Sequence, residues 1–407
     1  MAAAVLLGGA AAAILQVLPV NDNAVAGPPF KGRQEVKTSP AIGMPGAPPT
    51  SADGLRERID AMESRVAEHP DDTPSALLLA DALLREARAT TDGRPAGRAA
   101  TVLHAVLKNE PNQYDALRLL GAVELSLHHF RDALGVARRA RDARPSDAWN
   151  YGVMGDALLE LGEYEDAFRA FDTMAAMRPN ADAYARVSYA RELRGDLAGA
   201  LEAMQMAASA TSAHDREAKA WYTAHVGELY LRLGRLADAE REYRRAGFFF
   251  PDYPHATIGL GKVSAARGDD RGALEIFKAQ LSRTPTLDLA SRIGDLLAKR
   301  GEVSAAEHYY KLAEDLAGPA AVQTESNLAL FLAEHNRRLP EALRIAQAVA
   351  SVRHDIFTED TLAWALFKHG RTADALAASN RALRTGSLDE RILKHAEAIR
   401  ARLAPAL

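Results

Sequence analysis

An alanine returns at positions 133, 167, 200, 239, 273, 306, 342 and 375 of this chain, at steps of 33 to 39 residues. A near-constant period of that size marks a stacked-repeat architecture, in which each unit buries its apolar face only against its neighbours. Two more series keep the same register. Small residues recur at Gly121, Gly155, Ser188, Gly227, Gly261, Gly294, Ala329 and Ala363. A second glycine recurs at Gly162, Gly195, Gly234, Gly268, Gly301 and Gly370, with Asn336 in one gap. Pro111, Pro145, Pro179, Pro251 and Pro285 close several units.

Each series has a physical reason. In the unit 148–180 the pattern predicts one helix over 148–161 and a second over 163–178. Gly162 falls between them, where a helix ends in a left-handed residue that glycine tolerates best. Gly155 and Ala167 are expected to face each other, their small side chains letting antiparallel helices approach closely. Pro179 cannot continue the second helix and stops it. Leu158, Leu161, Tyr164, Phe168 and Phe171 lie three or four residues apart, a helical period, and no segment sustains strand alternation. The fold class is therefore all-α, built of antiparallel helix pairs.

The segment AWNYGVMGDALLELGEYEDAFRAFDTMAAMRP (148–179) resembles the tetratricopeptide repeat. The hallmarks are Trp149, Tyr151, Met154-Gly155, Leu158, Gly162, Tyr164, Ala167, Phe171 and Pro179. Residues 220–251 match as well, and the segments from 114, 254, 287 and 357 carry fewer hallmarks. The resemblance spans roughly 70–400 and implies a right-handed superhelical solenoid acting as a binding scaffold. It does not specify a partner, because one fold hosts many functions.

The register divides 52–407 into an extra helix (53–68), about nine pairs and a capping helix (390–404). The pairs are 73–113, 114–147, 148–180, 181–216, 217–253, 254–286, 287–320, 321–356 and 357–389. Three places break the period: the link ATTDGRPAG (89–97), the extra residues near 210–219, and EHNRRLP (334–340) in place of a mid-pair glycine. They read as tolerated surface insertions or, for 210–219, as a hinge or a change of superhelical curvature.

A net charge of −4 with interspersed signs argues against nucleic acid as a partner. RRARDAR (138–144) reads as a solvated outer face. The chain has no cysteine, which removes disulfides, thiol nucleophiles and thiolate zinc sites. Residues 1–20 are apolar and uncharged, followed by Ala24-Val25-Ala26 in the arrangement of a signal-peptidase site, without the Lys or Arg that usually opens a signal peptide. The expectation is export to the periplasm or beyond, or anchoring at the envelope with residues 1–20 as a membrane tether; a cytoplasmic location ranks third. Residues 27–51, rich in Pro, Gly and Ser, read as a disordered linker.

No catalytic constellation emerges, and neither a cofactor nor a metal is expected. GLGKVS (259–264) has part of a phosphate loop but lacks its first glycine, and its small residues belong to the repeat register. His128-His129 stand where sister units carry glycine, and a metal would need further ligands converging on them. What remains is the concave face, which first helices line in the family this chain resembles. By register it carries Arg118, Trp149, Asp156, Tyr189, Glu192, Trp221, Glu228, His255 and Lys262. Aromatic and acidic residues alternate through the middle, suiting a basic or aromatic-containing peptide. The alternative is that the tryptophans and Tyr189 fill gaps between pairs. GFFFP (247–251) likewise either wedges between pairs or exposes an aromatic patch. The reading is a non-catalytic interaction scaffold for a protein or peptide. The alternatives are an accessory arm of a separate envelope enzyme, such as a glycosyltransferase system, and a cytoplasmic adaptor.

Overall fold

A computed structural model describes residues 52–90, 92–317 and 326–403. The expected export or anchor segment and its linker, 1–51, lie outside the described residues. Within them the chain is all-helical. A lone helix α1 (Ala52–Glu68) precedes α2 (Thr73–Thr90) and α3 (Arg94–Asn109). Then come α4 (Tyr114–Ser126) with α5 (Phe130–Ala143), α6 (Ala148–Glu160) with α7 (Tyr164–Met177), and α8 (Ala181–Leu193) with α9 (Leu197–Ala210). The array continues with α10 (Arg216–Arg232) and α11 (Leu236–Phe249), α12 (Pro254–Ala266) and α13 (Asp270–Arg283), and α14 (Leu287–Lys299) and α15 (Val303–Ala317). It ends with α16 (Ser326–Glu334) and α17 (Leu339–Ala350), α18 (Ile356–Lys368) and α19 (Thr372–Ala382), and α20 (Glu390–Leu403). Successive helices pack on one another, and first helices of neighbouring pairs touch, as in α4 with α6 and α10 with α12. None of these helices is long and apolar enough to cross a membrane.

The periodic alanines are the seams: all eight are at most 2% exposed. The mid-pair glycines Gly162, Gly195, Gly234, Gly268, Gly301 and Gly370 have φ between +72° and +81°, the left-handed turn the pattern requires. Where glycine is missing, His128 (φ 63°) and Asn336 (φ 53°) take the same conformation. Asp147, Asn180, Asp215, Thr286 and Asp355 cap the following helices by accepting their first backbone N–H groups.

Two local expectations gain detail. At Gly155 an added Cβ would overlap the Phe171 ring, one turn beyond Ala167 along α7. The same small-under-aromatic seat holds Tyr243 against Gly227 and Gly259, Phe277 against Gly261, and Tyr310 against Gly294. The small residues make room for rings, and Ser188 Oγ also donates directly to the Ala200 carbonyl across its pair at 2.7 Å. The first pair's link is also shorter than 89–97, because α2 runs to Thr90 and α3 starts at Arg94. In GFFF, Phe250 is buried, Phe249 half-buried and Phe248 74% exposed, so the motif both wedges and exposes one ring.

Candidate interaction surface

First helices place the nine expected groove residues along the array, and the structure shows what their side chains touch. The charged ones are bound to the neighbouring repeat. Asp156 on α6 accepts from Arg186 on α8, with Arg186 Nε at 3.1 Å. Arg186 is fully buried and Asp156 is 6% exposed. Glu192 on α8 pairs with Arg232 on α10, and Glu228 on α10 accepts from Lys262 on α12 at 2.8 Å and from Tyr243 Oη at 2.7 Å. Arg118 lies over the Trp149 ring at 4.7 Å and pairs with Asp147 at 3.5 Å. Each acid–base pair thus ties one first helix to the next. Carboxylates set against paired cations need no partner molecule to neutralise them.

Burial divides the aromatic residues. Trp221 is 6% exposed, T-shaped to Tyr222 and stacked on His225 at 3.9 Å. It is packing, withdrawn from the groove. Trp149, Tyr189 and His255 are half-buried. His255 sits 5.2 Å from the Tyr253 ring. Phe277 and Tyr243 occupy the space at Gly261 and Gly259, so the GLGKVS segment is repeat packing, with Lys262 engaged by Glu228.

These environments shift proton affinities in opposite senses. Lys262 and the hydrogen bonds from it and Tyr243 outweigh burial and hold Glu228 down at about 2. Burial, helped by His225 and Lys262, pushes His255 down to about 3 from an ordinary 6.5. A histidine kept neutral in the fold contributes stability above pH 6.5 that is lost as pH falls toward about 3. The depressed Glu228 contributes stability above about 4.5 that is lost toward about 2. Acid unfolding is therefore expected to begin below pH 6.5, ahead of the carboxylate range. His255→Gln should flatten the slope of stability between pH 6.5 and 4.5 in chemical-denaturation titrations, while leaving the steeper loss below 4.5.

Sequence reasoning missed a second set of contacts, which join distant repeats. Arg88 on α2 donates to Glu217 on α10 at 2.8 Å, and Arg85 reaches Asp215 at 3.2 Å. The irregular 210–219 link is therefore tied back to the first pair rather than left as a free insertion. Further on, Arg353 pairs with Glu160 at 2.7 Å, and the His354 amide donates to the Glu160 carbonyl at 3.0 Å. The Ile356 amide donates to Tyr164 Oη at 2.9 Å, and Arg384 reaches the Gly162 carbonyl at 3.4 Å. These contacts seat the link before α18 and the end of the ninth pair on the turn of the third. Separations of 129 to 222 residues depend on superhelical geometry that a local pattern cannot encode.

A tetratricopeptide-repeat family model matches residues 92–148, 153–225 and 227–287. No curated protein matches the sequence. Among solved structures, a chain of the APC/C hetero-tetramer Cut9-Hcn1 is 15% identical with a TM-score of 0.51. The match covers 85% of this chain and 59% of that one, so this chain spans well under two thirds of that chain's length. The human IFIT1 dimer with PPP-AAAA is 15% identical with a TM-score of 0.52, over 82% of this chain and 78% of that one. At such identities the likeness is one of fold. Family match, mid-pair glycines in left-handed turns and small residues seating aromatic rings converge: residues 92–287 match tetratricopeptide repeats, and the helix pairs around them have the same fold.

Proposed function

We propose that the chain is a non-catalytic scaffold that holds a protein or extended peptide along the face formed by its first helices. The observation that carries this reading is the alignment of first helices from successive pairs, which puts half-buried Tyr189, Glu192, Glu228, His255 and Lys262 on neighbouring repeats. A polypeptide offers alternating donors, acceptors and side chains, which such a mixed ladder can match over several repeats. The IFIT1 structure is a dimer with PPP-AAAA; in this chain Arg186, Arg232 and Lys262 are already engaged by carboxylates, which favours a polypeptide over a phosphate-bearing partner. Residues 1–26 supply the reason to place the scaffold in an exported or envelope-anchored setting.

The test is quantitative affinity capture with three forms of the protein: wild type, the inner-face variant Arg232→Ala/Lys262→Ala, and the outer-face variant Arg138→Ala/Arg139→Ala. The reading expects a stoichiometric polypeptide that the inner-face variant loses and the outer-face variant keeps. Equal capture by all three would remove the groove from the account. Mass spectrometry of the mature N-terminus tests the compartment, with a product starting at Gly27 expected for export.

A further inference from the structure

We propose that the junction of the first two helix pairs binds one first-row divalent metal ion of the zinc class, held by Glu124, His129 and Asp132, with His104 as the fourth ligand. Sequence reasoning left His129 without converging ligands; the fold supplies them from three helices. The left-handed His128 turns the chain between α4 and α5, and the His129 amide donates to the Glu124 carbonyl at 2.9 Å. That turn sets His129 Nδ1 2.7 Å from Glu124 Oε2. Asp132 follows in the first turn of α5, and ligand atoms of Glu124, His129 and Asp132 all lie within 4.8 Å of one another. From α3, His104 Nε2 stands 3.5 Å from Glu124 Oε1. A tetrahedral ion with bonds of about 2.0–2.2 Å needs its ligand atoms roughly 3.3–3.6 Å apart; Glu124, His129 and Asp132 stand near that spacing, and the exposed His104 side chain has to turn toward them to complete the set.

The buried carboxylate points to a cation. Glu124 is 5% exposed, and its ion-pair partners among the described residues are the two imidazoles, with no Lys or Arg. A buried carboxylate ordinarily has a charged partner or coordinates a metal, and the groups that face Glu124 are imidazoles, which are themselves metal ligands. Two carboxylates carry the charge that a divalent ion balances, and two imidazole nitrogens complete a four-ligand set. His104, Glu124, His129 and Asp132 line one open cavity of about 550 Å³, with room for a hydrated ion. Arg139 shares its wall, but its guanidinium donates to the Pro111 carbonyl at 2.7 Å. The mixed imidazole–carboxylate set selects zinc-class ions over calcium or magnesium, which take oxygen ligands. Sister turns carry Gly162-Glu163, Gly195-Asp196 or Gly234-Arg235 at the corresponding places, so the histidine pair belongs to this junction.

Chelator-stripped full-length protein titrated with Zn²⁺ alone, followed by calorimetry and by the visible spectrum of Co²⁺ as a substitute, tests the site. The expected result is one equivalent bound, a tetrahedral Co²⁺ spectrum and a melting temperature that rises with Zn²⁺. His129→Ala and Glu124→Gln should each weaken binding about 100-fold, and His104→Ala about 10-fold or more. His104 is well exposed, so its variant reads the site without disturbing the core. Failure to bind Zn²⁺, or equal binding by the wild type and a folded His104→Ala/His129→Ala variant, would overturn the proposal.

Discussion

Arg186→Ala is expected to destabilise the protein by about 3–5 kcal/mol, the cost of breaking a buried ion pair from one side. Arg186 is fully buried and forks onto both oxygens of Asp156 across the third and fourth pairs. Removing the guanidinium leaves the 6%-exposed Asp156 carboxylate without its principal cation and opens a gap beneath the half-buried Trp149. The double variant Arg186→Met/Asp156→Leu should recover most of the loss, because apolar groups of similar volume need no compensation. Denaturant midpoints of the two variants decide the point. Equal midpoints for Arg186→Ala and wild type would mean that Asp156 does not depend on this pair.

Gly259→Val should cost about 3 kcal/mol, through overpacking rather than cavity formation. An added Cβ at Gly259 overlaps the Tyr243 ring, which Gly227 of the preceding repeat also holds at 3.0 Å from its own added Cβ position. Tyr243 is 2% exposed and cannot swing away without breaking its hydrogen bond to Glu228. Tyr243→Leu in the Gly259→Val background should restore part of the stability by vacating the seat. An undiminished melting temperature in the single variant would show that the two first helices can separate to admit the side chain.

Much of this was legible in the sequence because the repeat is a local device. The spacing of Ala167, Gly162 and Pro179 fixes a helix, its turn and its stop within one unit, and sister units repeat the message. The Phe171 ring at Gly155 was not foreseen, because a small residue announces a close approach without naming everything that approaches. The groove residues were placed on the right helices, yet their charge pairing was hidden. Asp156 with Arg186, 30 residues apart, and Glu228 with Lys262, 34 apart, meet only once neighbouring repeats stack. Trp221 looked like an anchor by register, but its neighbours Tyr222 and His225 close over it. The ties from α2 to α10, and from the ninth pair to the third, depend on accumulated rotation between repeats.

Those distant ties are central to the account, since they hold the first-helix face, proposed above as the partner surface, in one shape. The chain's lack of cysteine makes them directly measurable by spin labels on Glu165→Cys and Asn380→Cys, both exposed, on the third and ninth pairs. The account predicts a single narrow distance distribution in the otherwise wild-type protein, broadened when Arg384→Ala and Tyr164→Phe remove the ties to Gly162 and Ile356. A distribution that is broad from the start, or one that those substitutions leave unchanged, would contradict it.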